Sequence, residues 1–204
     1  AISSENCKIL IDFGSNLPGS KEEFSDEQIK NIVEDADAVF YTHYHGDHIG
    51  LHSLIPSGIK QYIGNGAKEV MLCKYNALNK YSDYSQHIKA TEAMLPYYTN
   101  HRIDVGGKGK IFVTPYFVSH SAFDAYMLTI ECEGKKILHT GDFRKHGYLG
   151  KGLIPTLVRY VSTVDILITE GTMLGRKQEQ VVSEHELQRN ITNILKGHKY
   201  VFAL

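Results

Sequence analysis

The sequence predicts an α/β fold, because short apolar strands alternate along its 204 residues with segments of helical periodicity. The run "DAVFYT" (37–42) is too continuously apolar for a surface strand, which indicates a strand buried on both faces. Hydrophobic residues form 42% of the chain and charged residues 22%, the balance expected of a globular protein that buries a core.

In the first half of the chain, "KILIDFG" (8–14) is a β-branched strand ended by glycine, and "KQYIG" (60–64) is a second strand. "SDEQIKNIVED" is predicted to be a helix, since Ser25 and Gln28 have the spacing of a capping box. "HIGLHSLI" predicts a short helix that stops before the next proline, and residues 65–98 have a helical pattern.

In the second half, four extended segments follow one another: "RIDVGG", "KIFVTPYFV", "AYMLTIEC" and "KKILHTGD". The last two flank "EGKK" and predict a β-hairpin. "LIPTLVRYV" predicts a helix, "DILITE" (165–170) a strand, and "SEHELQRNITNIL" a helix with a second capping box at Ser183 and Glu186. The final "KYVFAL" predicts a strand. Because apolar strands lie at both ends, we expect a segment of a longer protein.

Charge, hydropathy and cysteine content exclude several classes of protein. With a net charge of −1, the chain as a whole does not attract nucleic acid electrostatically. No apolar run approaches the roughly 20 residues that span a bilayer, so we expect no membrane partner. Cys7, Cys73 and Cys132 are odd in number and far apart, which predicts reduced thiols in a cytoplasmic protein.

The segment "YTHYHGDHIG" (41–50) concentrates metal-ligating side chains directly after a buried strand. His43 and His45 point the same way in an extended segment, so both imidazoles can reach one cation. Asp47 and His48 open the next helix and face the same hollow. Imidazole suits zinc, and the added carboxylate allows zinc, manganese or iron. The spacing H-x-H-x-D-H therefore predicts ligands for two adjacent metals, rather than a polar surface loop.

Further ligands are available at the ends of other strands. His120 ends "KIFVTPYFV", and Asp142 follows "KKILHT", with Gly141 allowing a tight exit. Each residue alone is more often a turn former or a cap, but strand ends in one sheet converge on one edge. Asp12 lies at a similar position and either accepts a hydrogen bond from a ligand histidine or forms an Asx turn before Gly14.

Taken in order, Asp12, the H-x-H-x-D-H cluster, His120 and Asp142 resemble the metallo-β-lactamase superfamily over residues 8–170. The resemblance implies an αββα sandwich of two β-sheets with helices outside. It also implies two sets of metal ligands, with the Asp142 carboxylate bridging the two ions. The first set would be His43, His45 and His120. The second set would be Asp47, His48 and Asp142.

Within the superfamily, "ILITEGT" resembles the beta-CASP nucleases, in which an acidic residue at a strand end precedes an inserted domain. Glu170 occupies that position. "HSAFDAY", "EGKKILHTGDFRKHG" and "TEGT" are most similar to bacterial relatives of ribonuclease J. The resemblance implies a metallo-β-lactamase domain over 1–170 and the beginning of a beta-CASP α/β domain over 171–204, with both domains truncated.

This resemblance implies a metal-dependent ribonuclease, with endonuclease activity, 5′-exonuclease activity or both, that uses two Zn²⁺ ions or Mn²⁺. Two cations about 3.5–4 Å apart share a water, lower its pKa towards 7 and hold a bridging hydroxide in line with the phosphorus. Asp47 would receive the proton of that water. Glu170 would pair with a leaving-group histidine from elsewhere in the protein and tune it as a general acid. RNA is the expected substrate, and a homo-oligomer is compatible with the sequence.

Two alternatives remain open: a thioesterase of the glyoxalase II kind, in which the same hydroxide attacks a carbonyl carbon, and a non-catalytic module that keeps the fold. The basic run "FRKHGYLGK" (143–151) and the two lysines of the predicted hairpin would form either a patch that guides RNA or a solvated loop. These cations are Arg144, Lys145, Lys151, Lys135 and Lys136.

Overall fold

The computed structural model describes residues 1–16, 19–20, 24–106, 111–175 and 181–202. Within them, ten strands form two five-stranded sheets. The strands are β1 (Ile2–Ser4), β2 (Cys7–Ile11), β3 (Ala38–Phe40), β4 (Lys60–Gly64), β5 (Leu95–Tyr97), β6 (Ile103–Asp104), β7 (Phe112–Val118), β8 (Ala125–Cys132), β9 (Lys135–His139) and β10 (Ile166–Ile168). The helices are α1 (Asp26–Val33), α2 (Gly46–Ile49), α3 (Asn65–Leu78), α4 (Ser85–Ala93), α5 (Leu153–Thr156) and α6 (Glu184–Lys196). Short 3₁₀ turns lie at His52–Leu54 and Gly150–Gly152, and Leu157–Val161 extends α5 as a π-helical turn.

The first sheet has the order β1-β2-β3-β4-β5. Strands β2 to β5 are parallel to their neighbours, and β1 forms an antiparallel pair with β2. Parallel neighbours need crossover connections, and α1 to α4 supply them. All three residues of β3 are fully buried, at 0% exposure, which confirms the strand predicted to be covered on both faces.

The second sheet has the order β10-β9-β8-β7-β6. Strands β6 to β9 are antiparallel, and β10 runs parallel to β9. The predicted hairpin is confirmed as β8–β9. Glu133 and Gly134 form its turn with φ values of 49° and 75°, the left-handed pair that matches the twist of two antiparallel strands.

The side chains of the first sheet alternate between two cores because successive residues of a strand point to opposite faces. Ile9 and Phe40 pack against Leu128 of the second sheet. Leu10 and Val39 face the other way and pack beneath α1 and α3. The inner core therefore joins the two sheets, and the outer core joins the first sheet to its helices.

The outer face of the second sheet is covered by α5 and its π-helical turn. Tyr116, Met127 and Leu138 form a third core there with Val161. The layers are thus helices, sheet, sheet and helix, which confirms the predicted αββα architecture.

Both predicted helix starts are present. The Ser25 hydroxyl accepts from Gln28 N at 3.2 Å and Gln28 Oε1 accepts from Ser25 N at 2.9 Å, so the capping box of α1 is confirmed. At α6, Ser183 Oγ accepts from Glu186 N at 3.3 Å, the half of the second predicted box that the structure shows.

Two element predictions were wrong. Residues 65–98 are not helical throughout, because Leu95–Tyr97 form the edge strand β5. Pro96 lacks an N–H and is tolerated at such an edge. Residues 199–202 of the last predicted strand form no strand, since no described strand pairs with them, and Phe202 is 93% exposed; the remaining 203–204 lie outside the described residues.

Strand β10 is apolar but uncovered, with Ile166, Leu167 and Ile168 exposed by 48%, 58% and 42%. Its side chains on both faces of the sheet therefore meet solvent. Within the described residues, no helix has the length and apolarity needed to cross a bilayer.

Candidate metal centre

The loops after β2 and β3 meet through their backbones at the edge of the first sheet. Phe13 N donates to the carbonyl of His48 at 2.7 Å, and Ser15 N donates to that of Gly46 at 2.9 Å. A Cβ at Gly14 would lie 1.8 Å from the Asp47 carbonyl oxygen, so only glycine fits between the two loops. These contacts fix the position of α2 and the histidines around it.

Three imidazoles converge beside this loop pair. His43 Nε2 lies 3.0 Å from His45 Nδ1, and His120 Nε2 lies 3.3 Å from the same atom. The three nitrogens all lie within 4.8 Å of one another, and His43 is fully buried. The end of β7 thus brings His120 from the second sheet to the cluster of the first sheet, whereas the sequence argument expected strand ends of one sheet.

A second group of donors, His43, His48 and Asp142, shares His43 with the first, and Asp47 lies beside His48. His48 Nε2 lies 3.6 Å from Asp142 Oδ2 and 3.7 Å from Asp47 Oδ2. Asp142 Oδ2 also lies 3.8 Å from His120 Nε2. Donor atoms of His43, His48 and Asp142 lie within 4.8 Å of one another. Asp142 Oδ2 therefore lies within 4 Å of a ring nitrogen of His48 and of His120, and so contacts both groups.

Asp12 fixes the orientation of the cluster through hydrogen bonds to Thr42 and His48. Its Oδ1 accepts from Thr42 N at 2.7 Å, and its Oδ2 accepts from the Thr42 hydroxyl at 2.9 Å and from His48 Nδ1 at 2.8 Å. The hydroxyl in turn lies 3.0 Å from His43 Nδ1. Because the Nδ1 atoms of His43 and His48 are occupied in this way, their Nε2 atoms face the cluster. Of the two alternatives for Asp12, the structure shows the hydrogen bond to a cluster histidine.

Burial and neighbouring charges divide the histidines into two classes. Burial, followed by the charges of the neighbouring imidazoles, lowers the pKa of His43 to about 3. Burial is also the main cause that lowers the pKa of His45 and of His120. Burial opposes the protonated form of His48 too, but the carboxylates of Asp12 and Asp142 outweigh it and raise its pKa to about 10. The first group is therefore neutral at pH 7, whereas His48 carries a proton.

The donor set fits transition-metal ions. Neutral imidazoles and carboxylates are the nitrogen and oxygen ligands that zinc and manganese accept. Among the described residues, His120 Nδ1 is a buried ring nitrogen without a hydrogen-bond partner. The opposite nitrogen of the same ring points into the three-imidazole group.

Glu170 lies beside the loop that carries Asp142. Its Oε1 accepts from Phe143 N at 2.8 Å, and its own N donates to the Thr140 hydroxyl at 3.3 Å. The end of β10 therefore holds the backbone immediately after Asp142. Sequence patterns identified the residue but not this contact, because only the parallel pairing of β9 and β10 creates it.

Two residues that sequence reasoning missed, Tyr44 and Asp124, support the loop after His120. Tyr44 Oη accepts from Phe123 N at 2.9 Å. The Asp124 carboxylate accepts from Gly66 N and Ala67 N at 2.7 and 3.0 Å, at the start of α3. The signals available were the tyrosine inside the histidine cluster and an aspartate four residues beyond His120.

The basic residues predicted to form one patch lie at two different ends of β9 in the structure. Lys135 lies at the turn of the β8–β9 hairpin and pairs with Asp165 at 3.1 Å, and Lys136 Nζ donates to the Val161 carbonyl. Asp142 lies past the opposite end of β9, so these two lysines do not adjoin the cluster. Arg144, in contrast, follows Asp142 by two residues, and its N donates to the carbonyl of Ser119, the residue before His120.

Comparisons with known proteins agree with this architecture. The family model described as the metallo-beta-lactamase superfamily matches residues 1–170. A protein of unknown function from Enterococcus faecalis V583 is similar in structure, with a TM-score of 0.73, 19% identity and coverage of 96% of this chain and 53% of that one. This chain thus spans about half the length of that structure.

A second similar structure is a metallo-beta-lactamase with a HARLDQ motif from Cronobacter sakazakii, with a TM-score of 0.51, 17% identity and coverage of 82% of this chain and 69% of that one. At such identities both structures support the fold alone. A search of the curated proteins finds no match. The family match covers most of the chain, and the cluster of histidines and aspartates lies inside it: the chain belongs to the metallo-beta-lactamase superfamily.

Proposed function

We propose that this protein is a metal-dependent ribonuclease that hydrolyses RNA phosphodiester bonds. The observation that carries the proposal is the convergence of six donor side chains from three separate segments, which follow β3, β7 and β9. Three of these side chains are neutral imidazoles, and beside them lie His48 and Asp142, with Asp47 Oδ2 3.7 Å from His48 Nε2. Such adjoining donor sets are those of a two-metal hydrolase.

We assign His43, His45 and His120 to the first ion, and Asp47, His48 and Asp142 to the second. Zn²⁺ is the proposed metal, and Mn²⁺ suits the second group as well, since it contains two carboxylates. Bound there, the two ions would lower the pKa of a water and take up negative charge on the phosphate. Asp12 keeps His43 and His48 in the tautomers that ligation requires, through its bonds to Thr42 and His48.

Proton transfer is assigned to residues at the open side of the cluster. The Asp47 side chain is 37% exposed and lies 3.7 Å from His48 Nε2, so it can receive the proton of an incoming water while it orients that water. Glu170, beside the Asp142 loop, is proposed to pair with a leaving-group histidine elsewhere in the protein. Its bond to Phe143 N fixes its carboxylate beside the backbone that follows Asp142.

The choice of RNA rests on the resemblance of the segment around Glu170 to the beta-CASP nucleases. In the same proposal, residues 1–170 form the metallo-β-lactamase domain and residues 171–204 begin a beta-CASP domain. The reaction would take place in the cytoplasm. A glyoxalase II-like thioesterase would use the same donor set on a carbonyl carbon and is the competing activity to test.

The test combines metal analysis with three substrates: 5′-monophosphate RNA, a β-lactam and a glutathione thioester. We expect two equivalents of zinc and RNA cleavage, with the Asp47→Ala variant losing cleavage by about 100-fold or more because it removes the proton acceptor. Asp104→Ala, at the far end of the second sheet, is the matched control and should cleave normally. Turnover of the thioester without cleavage of RNA would overturn the proposal.

A further inference from the structure

The residues that follow Asp142 remain in contact with the segments around the metal centre. Phe143 N is held by Glu170, and Arg144 N donates to the Ser119 carbonyl at 2.6 Å, immediately before His120. A Cβ at Gly147 would lie 2.2 Å from Ser119 Oγ, so the same loop packs closely on the His120 segment. The backbone of Arg144 is therefore pinned between the segments that carry two of the proposed metal ligands.

The Arg144 side chain is held on one side by helix α6. Its Nη1 lies 3.3 Å from Glu184 Oε1, while the other oxygen of Glu184 accepts from Tyr148 N at 2.7 Å. Glu184 N donates in turn to the His146 carbonyl at 3.1 Å. Glu184, at the start of α6, is thus fixed by the loop and limits where the guanidinium can go.

The contact with Glu184 orients the Arg144 guanidinium but leaves most of its N–H donors available for another ligand. A guanidinium has five N–H donors in a planar fork, and the ion pair uses Nη1. The Arg144 side chain is 40% exposed, and an ion pair at this exposure adds little to folding stability. Stabilising the fold is therefore a weak explanation for a cation placed here.

The charge of Arg144 acts on the metal centre. Arg144 follows Asp142 by two residues, and its N donates to the carbonyl of Ser119, the residue before His120, so its positive charge lies close to two proposed ligands. The basic side chains of the hairpin lie at the other end of β9, with Lys135 paired to Asp165. Arg144 is thus an oriented cation beside a cluster that would receive a negatively charged substrate.

We infer that Arg144 binds a phosphate of the nucleic-acid strand next to the metal centre, with Glu184 holding its guanidinium in place. This inference rests on the proposed function, because it names the part of the substrate that this site would recognise. The ligand class is a phosphodiester anion of a single strand. A planar guanidinium binds two phosphate oxygens at once, which a lysine cannot do.

The test measures binding of a single-stranded phosphorothioate RNA, which resists hydrolysis and keeps its charge, to the zinc-loaded protein over a range of salt concentrations. We expect Arg144→Gln to weaken binding about tenfold or more. It should also reduce the slope of log K against log salt by about 0.7, the contribution of one phosphate contact on a single strand. Arg144→Lys should keep the slope and lose part of the affinity.

The matched control is Arg102→Gln. Arg102 also pairs with a glutamate, Glu131, at 2.9 Å, but it lies at the end of the second sheet away from His120. This variant should leave affinity and slope unchanged. Zinc content of every variant is measured alongside, and Arg144→Gln should keep two equivalents, because it removes no metal ligand.

Unchanged affinity and slope in Arg144→Gln would overturn the inference, as would an equal loss in Arg102→Gln. Failure of the proposed function has a different signature, since the wild-type protein would then leave RNA uncut. If RNA is cut and Arg144→Gln binds it normally, the ribonuclease assignment stands and the role of Arg144 does not.

Discussion

At the residue scale, one carboxylate controls the orientation of two histidines. Asp12 has a φ of 57°, a left-handed backbone that turns the chain directly after β2 and aims the side chain at Thr42 and His48. Aspartate tolerates this conformation better than most residues. A single position thus combines a left-handed backbone turn with an anchor for the cluster, and of its two predicted roles the structure shows the hydrogen bond to a cluster histidine.

We predict that Asp12→Asn weakens zinc binding by about 10- to 100-fold, because an amide NH2 replaces one of the two carboxylate oxygens that accept from Thr42 and His48. The size of the side chain is preserved, so the loss is electrostatic rather than steric. Competition with a chromogenic chelator measures the affinity. Asp37→Asn is the control, since Asp37 also accepts a backbone N–H, from Lys8 at 2.8 Å, but away from the cluster. Equal zinc affinity in the two variants would contradict this role of Asp12.

At the scale of elements, the position of α2 depends on direct contact between backbones. Helix α2 has only four residues, Gly46–Ile49, too few to be stable alone. Its start is held by the loop after β2, where Gly14 leaves no space for a side chain above Asp47. The positions of the donors in and beside α2 therefore depend on this contact between the two loops.

We predict that Gly14→Ala lowers the free energy of unfolding by about 3 kcal/mol or more and reduces zinc content, because the new methyl group would displace the backbone of α2. Chemical denaturation and metal analysis measure the two effects. Gly58→Ala is the control: its Cβ would meet no atom within 4 Å, and we expect a change within about 1 kcal/mol. A Gly14→Ala protein with normal stability and normal zinc content would show that the loops can separate without cost.

At the scale of the whole molecule, the stability of the metal-free protein depends on protons taken up by the cluster. His43 has a pKa lowered to about 3, so the unfolded chain binds a proton at His43 that the folded chain does not, once the pH falls below about 6.5. His45 and His120 act in the same direction. His48 acts oppositely, since its pKa of about 10 stabilises the fold below pH 6.5, and this contribution is lost as the pH rises through 10.

We therefore predict that the metal-free protein is most stable near pH 6.5 and loses stability on either side. Towards pH 3 the loss reaches about 1.4 kcal/mol per pH unit for each histidine that stays neutral in the fold. Urea denaturation in a chelating buffer, from pH 4 to pH 10, measures the curve. Replacing His43 by Asn should flatten the acid side, whereas replacing the exposed His101 should not. An acid side that is equally steep in all three proteins would refute this assignment.

The sequence by itself determined the local features. The capping box at Ser25, the buried strand β3 and the β8–β9 hairpin follow from side-chain chemistry within a few residues of one another. The H-x-H-x-D-H spacing is of the same kind, because a short extended segment followed by a helix start aims neighbouring donors at one point. These features could therefore be predicted without reference to the rest of the chain.

Only the tertiary structure decided which distant residues meet. His120 and Asp142 lie in the cluster, and Glu170 accepts a hydrogen bond from Phe143 N. Lys135 and Lys136 lie at the other end of β9, away from the cluster. The tertiary structure also made a strand of Leu95–Tyr97, whose helical pattern was overridden by pairing at the edge of β4. The physical reason is the same in each case: strand pairing joins residues that lie far apart in sequence, and the periodicity of one segment carries no information about its partner.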